Sequence, residues 1–162
     1  QAKGLSTTGG AVSLAGAGCT LDLVGGIITK HRAHLVNVGD SRAYYLNSYE
    51  IMQISRDHSY VADLVEMGAI TKEEAKYHPK KNIITRALGV DSSVESDYYS
   101  VDLRRGDGIL LCTDGLTNMV SDDEILAAYN EQITPERVCR YLMDLALERG
   151  ARDNVSVVLV KI

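Results

Sequence analysis

Three aspartates stand where runs of β-forming residues stop. Asp40 closes AHLVNVG, Asp114 follows GILLCT and precedes Gly115, and Asp153 precedes Asn154 and the run VSVVLVK. Singly, an aspartate in such a place serves as a turn residue or a helix cap. Together they suit another task, because carboxylate oxygens are the donors that hard divalent cations prefer and strand ends hold side chains rigidly. No His/Cys cluster has the spacing of a zinc site. Cys19, Cys112 and Cys139 are odd in number and far apart, so they read as free thiols of a reducing, cytoplasmic setting. Cys112, two residues before Asp114, reads as a small core residue rather than a nucleophile.

The elements that must position these acids follow from periodicity. Residues 19–29 read as a strand, with Gly25-Gly26 as a bulge or a point of close packing. Residues 33–38, 42–46 and 50–54 continue as short strands separated by tight turns, which predicts a four-stranded antiparallel meander. Helical spacing takes over in 57–82. There Asp57 or Ser59 caps Val61, Leu64 and Val65, Gly68 stops the helix, and Thr71 with Glu74 makes a capping box. Residues 83–88 and 97–103 read as β again, and the apolar run 108–113 predicts a strand buried on both faces. Ser121 with Glu124 gives a second capping box. Thr134-Pro135 opens a last helix with Val138, Leu142, Leu145 and Ala146 on one stripe and Gly150 as its stop. Residues 155–161 read as a final buried strand. Tyr44-Tyr45 and Tyr98-Tyr99 are each expected to turn one ring to solvent. The sum is α+β, with helices segregated against antiparallel sheet.

Composition bounds the function. A chain of 162 residues, 45% hydrophobic and 24% charged, is long enough for one domain with a real core. Its net charge of −5 and its lack of a Lys/Arg block argue against nucleic acid as partner. No apolar run approaches a membrane span. Residues 1–18, rich in Gly, Ala, Ser and Thr, read as a flexible lead-in. The chain opens on Gln1, and no charged segment followed by an apolar run is visible there, so no signal peptide is expected in these residues.

The strings NVGDSRAYYL, RDHSYVADLVEMGAITKEEA, HPKKNIITRALG, GDGILLCTDGLTNMVSDDEI and ARDNVSVVLV, in that order, resemble successive segments of the bacterial metal-dependent protein serine/threonine phosphatases of type 2C, the PPM family. The likeness runs from about Gly16 to Ile162. It implies an antiparallel β-sandwich flanked by helices, with two to three manganese or magnesium ions at one end. Asp114 and Asp153 match aspartates that bind the metal pair, and Asp40 matches the residue that helps hold a third, weaker ion. Asn154 and Gly115 stand beside those ligands and would support them. Residues 57–82, opening with Asp57, His58 and Ser59, match a flap beside the active site. The implied chemistry is hydrolysis by a metal-activated water, which needs no side-chain nucleophile. Phosphoprotein substrates and a cognate protein kinase are the implied partners.

The resemblance is incomplete. The family begins with further strands that carry an early acidic ligand, a DGxGG segment whose Asp bridges both metals, and an Arg for the phosphate. Residues 1–18 contain no Asp, Glu or Arg. Residues 19–162 are therefore expected to be the C-terminal part of a phosphatase domain, inactive by itself and able to self-associate through exposed sheet edges. A truncated, non-catalytic binding module and a domain whose first half is supplied by another chain are the alternatives. Arg42 and Arg152 neighbour the expected ligands and are expected to pair with carboxylates or lie in solvent. His58 is the one histidine singled out for proton transfer.

Overall fold

The computed structural model describes residues 22–29, 31–90, 93–151 and 153–162. The lead-in expected over 1–18, Cys19, the first residues of the strand expected over 19–29 and Arg152 lie outside them. The elements in chain order are β1 (Leu23–Ile28), β2 (Arg32–Val38), β3 (Arg42–Leu46), β4 (Ile51–Gln53), α1 (Tyr60–Glu66), α2 (Lys72–Tyr77), β5 (Asp97–Asp102), β6 (Gly108–Cys112), α3 (Asp114–Thr117), α4 (Asp122–Glu131), α5 (Pro135–Glu148) and β7 (Val157–Lys161).

The strands form two antiparallel sheets, ordered β1-β2-β5 and β4-β3-β6-β7. The expected four-stranded meander is therefore two hairpins in different sheets. The reason is geometric. A strand has two edges, and those of β2 are taken by β1 and β5, so β3 cannot pair beside it. Gly39, at φ +112°, is where the chain turns away toward the second sheet, a conformation glycine adopts without steric cost. The glycine pair in β1 makes no bulge, since its register with β2 runs unbroken from Leu23 to Ile28. Gly26 is instead a close-packing point: a Cβ there would lie 2.5 Å from both Leu35 Cδ2 and the His34 carbonyl oxygen.

Alternation along the strands builds two apolar layers. Ala43, Ile109, Tyr45 and Leu111 face the three-stranded sheet, where they meet Ala33, Leu35, Val24, Val101 and Tyr99. Tyr44, Leu46, Leu110 and Cys112 face the opposite way, onto Leu116, Ile125, Tyr129, Val138, Leu142 and Ala146 of the helices. With both faces covered, β6 is buried as its apolar run predicts. The same covering buries Tyr44 and half-buries Tyr45, so neither ring is turned fully to solvent, against expectation, whereas Tyr98 on the three-stranded sheet is 78% exposed. β7 is an edge strand, half-buried rather than buried, because it pairs with β6 on one side only.

Both capping boxes form, Thr71 with Glu74 and Ser121 with Glu124. Ser59, not Asp57, caps α1. Thr134 caps α5 ahead of Pro135, and Gly68 and Gly150 take positive φ just past their helices. The strand expected over 83–88 is not formed. Ile84 makes an isolated bridge to Ser59, and Ile83 and Ile84, 47% and 38% exposed, have no sheet face to bury against. The segment is nonetheless fastened, by Tyr60 N–H to the Ile83 carbonyl and Thr85 N–H to the His58 carbonyl, each at 2.8 Å.

Two outcomes follow for stability. Leu142 is fully buried while Leu147, on the same helix, is 60% exposed. Leu142→Ala should cost about 2–5 kcal/mol in urea unfolding, and Leu147→Ala no more than about 0.5 kcal/mol. The Glu124 carboxyl is held down at about 2 by Arg149 and Ser121. Its folded pKa lies below the unfolded value of 4.5, so its contribution is complete above that value and is lost as pH falls toward 2. Glu124→Gln should flatten that acid limb in a pH series of thermal unfolding.

Candidate functional site

The sheet registers bring the strand-end acids to one end of the sandwich. In the four-stranded sheet Arg42 lies opposite Cys112 and Cys112 opposite Val157. Asp40 lies just before the start of β3 and Asp114 just past the end of β6, so this pairing puts both at one end of the sheet, near enough for the charge of Asp114 to act on Asp40. Asp153 enters β7 from the same end. There the loop before β7 packs on α3, where a Cβ on Gly115 would lie 2.5 Å from the Asn154 carbonyl oxygen. In the other sheet Leu23 pairs with Val38, which sets Asp22 beside Gly39. A Cβ on Gly39 would lie 2.4 Å from Asp22 Oδ1.

Asp22 was not legible as a site residue. It sits inside the run TLDLV, read as plain strand, and its one signal was a charge in an otherwise apolar stretch. The structure sets it among the expected acids. Asp40 is pushed up to about 7 by burial and by the charges of Asp114, Asp22 and Asp57. Asp22 is raised by burial and by Asp114, against a hydrogen bond with Asp40 that lowers it. Asp114 is raised by burial and by Asp153, against hydrogen bonds from Gly115 N–H and Asn118. The Asn118 amide donates to Asp114 Oδ2 at 3.1 Å, and the Asp153 carboxylate accepts from Asn154 N–H at 2.7 Å. The acids form an electrostatically coupled chain. Among the described residues, however, no three His, Cys, Asp or Glu side chains are gathered closely enough to hold one ion by themselves. Asp22 Oδ1 is buried with no hydrogen-bond partner among the described residues, as an oxygen reserved for a cation would be.

Next to the acids, Arg42, Asp57 and Tyr44 are joined by polar bonds. Arg42 grips Asp57 through Nε at 2.9 Å and Nη2 at 2.6 Å, and its Nη1 donates to Tyr44 OH at 3.2 Å. Burial alone would favour loss of its proton, but the hydrogen bonds and charge of Asp57 outweigh that and raise its pKa. Arg42 is thus paired, as expected. Of the expected flap residues, Asp57 holds Arg42, Ser59 caps α1, and His58 is 3% exposed with both ring nitrogens engaged. A proton-transfer role for His58 is therefore not supported. Cys112 is buried and its thiol is pushed up to about 12, mainly by that burial; it is core, not nucleophile.

Residues 14–155 match the family described as Protein phosphatase 2C. The chain is 40% identical over 150 residues to the serine/threonine phosphatase stp of Listeria monocytogenes, spanning 93% of this chain and 59% of that protein. It is 42% identical over 149 residues to the serine/threonine protein phosphatase PstP of Mycobacterium tuberculosis, across 92% of this chain and 28% of that one. The structure superposes on that of serine/threonine phosphatase Stp1 from Staphylococcus aureus with a TM-score of 0.86 and 42% identity, covering 90% of this chain and 57% of the other. A structure of the PstP catalytic domain in complex with two manganese ions matches with a TM-score of 0.78 and 38% identity, covering 89% of this chain and 59% of that one. Folded as an α+β sandwich of antiparallel sheets with helices, the chain belongs to the protein phosphatase 2C family. It spans about three fifths of the length of the Listeria relatives.

Gly39 offers a test of how the site is held. Gly39→Ala adds a Cβ against the Asp22 carboxylate in a backbone region that side chains rarely adopt. It should cost about 1–3 kcal/mol in denaturant unfolding, and the substitution Gly25→Ala, where nothing lies within 4 Å of the added carbon, should cost much less.

Proposed function

We propose that, in the complete domain, this end of the sandwich hydrolyses phosphoserine and phosphothreonine in proteins with manganese or magnesium bound at Asp114, Asp153 and Asp40. The observation that carries the reading is the delivery of these acids, from three separate loops, to one end of a phosphatase 2C fold. Asp22 joins them as a fourth acidic group. The donors are all carboxylate oxygens, which suits hard cations, and their mutual repulsion is what a cation relieves. Two divalent ions bound in such a site supply a water of lowered pKa and neutralise charge that develops on the phosphoryl oxygens.

The chain's own residues orient the acids. Asn118 fixes one oxygen of Asp114, and the close packing of Gly115 on Asn154 sets the spacing of α3 from the loop of Asp153. Arg42 is committed to Asp57, so the cation that meets the phosphate comes from outside the described residues. Because no three described acids converge on one point, coordination is completed by water and by groups beyond these residues. By itself the chain is then a weak catalyst. Residues 57–82, with α1 and α2, flank the acidic end as a flap that bears on substrate choice. The cellular setting is the cytoplasm, alongside a protein kinase that makes the phosphoprotein substrates, and the open edge of β7 allows self-association.

In the complete domain, Asp114→Asn and Asp153→Asn should each lower turnover of a phosphothreonine peptide by at least about 100-fold. Asp40→Ala should lower it less and be partly rescued by excess manganese. Rates against manganese concentration, with circular dichroism as the folding control, check this ordering. Full activity of Asp114→Asn with unchanged manganese dependence would remove the assignment. The 162-residue chain alone should show little turnover even in excess manganese; if it binds a phosphopeptide without hydrolysing it, the binding-module reading gains.

A further inference from the structure

His58, 3% exposed, is enclosed beside the acidic end, and its bonds converge on one residue. The Gly39 N–H donates to His58 Nδ1 at 3.0 Å, and the His58 N–H donates to the Gly39 carbonyl at 2.9 Å. The Asn37 amide donates to that same carbonyl at 3.2 Å. Gly39 is therefore held on both its donor and its acceptor, and the next residue is Asp40.

The bonds also fix the ring's proton. A nitrogen that accepts from an N–H carries none, so the neutral ring is protonated on Nε2. Nε2 lies 3.1 Å from Asp97 Oδ2, an acceptor for that proton. Arg86 Nη1 stands 3.1 Å from Nε2, but two donors do not bond. Its productive contacts are with Asp97 Oδ1 at 2.9 Å and the Glu95 carbonyl at 3.1 Å. Tyr99 OH donates to Asp97 Oδ2 at 3.1 Å. A carboxylate fixed by an arginine and a tyrosine thus fixes the imidazole, which fixes Gly39. Arg86 belongs to the same loop as Thr85, whose N–H reaches the His58 carbonyl. The histidine sits where the segment after α2 meets the turn that displays Asp40.

We propose that His58 is a positioning residue: as the Nε2–H tautomer set by Asp97, it clamps the backbone of Gly39 and so places the Asp40 carboxylate, and Arg86 ties that clamp to the loop following α2. The role of Asp40 as a metal ligand rests on the function proposed above; the clamp itself does not. Two substitutions separate its halves. His58→Asn keeps an acceptor where Nδ1 stood and loses the reach to Asp97. His58→Gln keeps a donor toward Asp97 and leaves the Gly39 N–H without an acceptor.

The test uses the 162-residue chain and reads amide hydrogen exchange of Gly39, imidazole nitrogen shifts of His58, and manganese binding by water-proton relaxation. The wild type should show the Nε2–H tautomer, and Asp97→Asn should mix the tautomers. His58→Gln should speed Gly39 exchange by about tenfold, the worth of one such bond, with Leu110 and Leu159 amides unchanged as the folding control. It should also weaken manganese binding several-fold. His58→Asn should restore both to within about threefold of wild type. Unchanged Gly39 exchange in His58→Gln, or an Nδ1–H tautomer in the wild type, overturns the clamp. Altered Gly39 exchange with manganese binding by the complete domain unchanged upholds the clamp and removes Asp40 as the ligand that it positions.

Discussion

The pairing of Arg42 with Cys112, in the middle of the four-stranded sheet, is the constraint on which the acidic end depends. It aligns the start of β3 with the end of β6, and β6 in turn aligns the start of β7. A slip of one residue would reverse the facing of Ala43, Tyr44, Tyr45 and Leu46, sending each to the wrong apolar layer. The two layers on either side of this sheet differ in size and shape, one filled by Leu142, Ile125 and Tyr129 among others, the other by Leu35, Leu103 and Ile109 around the small Ala33 and Ala43. The register is therefore fixed by packing on both faces at once, and with it the meeting of Asp40 and Asp114.

Gathering acids works against stability, and the structure shows how the strain is contained. Burial and mutual charge raise Asp22, Asp40 and Asp114 together. Arg42 lies close enough to Asp114 to offset part of this, but its hydrogen bonds go to Asp57. The balance is kept by neutral donors and by backbone: Asn118 on Asp114, Asn154 N–H on Asp153, and Gly39, bonded at both its N–H and its carbonyl, beside Asp40. These hold the carboxylates in place without cancelling their charge, which leaves the charge available to a ligand.

Much of this was legible in the sequence, and for identifiable reasons. Capping boxes, the Thr134-Pro135 helix start and the apolar run 108–113 are local signals, and each formed where its residues demanded. Asp40, Asp114 and Asp153 could be picked out because each interrupts a hydrophobic run. What failed was non-local. Nothing in the turn residues 39–41 says whether the next strand returns to the same sheet or crosses to another; occupancy of both edges of β2 decides that. Asp22 was hidden because one charge in a strand reads as an outward-facing residue, and only the approach of Gly39 makes it part of the site. His58 was the histidine marked for proton transfer because it opens the flap segment, and only the fold shows both of its ring nitrogens engaged.

The acids do not all hang from one sheet. Asp22 enters the three-stranded sheet, Asp114 and Asp153 flank strands of the four-stranded one, and Asp40 lies on the span between. A separation such as that of Asp22 from Asp114 is thus set by the thickness of the apolar layer joining the two sheets, where Ala33 and Ala43 are wholly enclosed. The sandwich acts as a caliper. A methyl group added or removed deep between the sheets alters the gap between carboxylates that it never touches, so the spacing of this acidic end is written partly in its interior hydrocarbon.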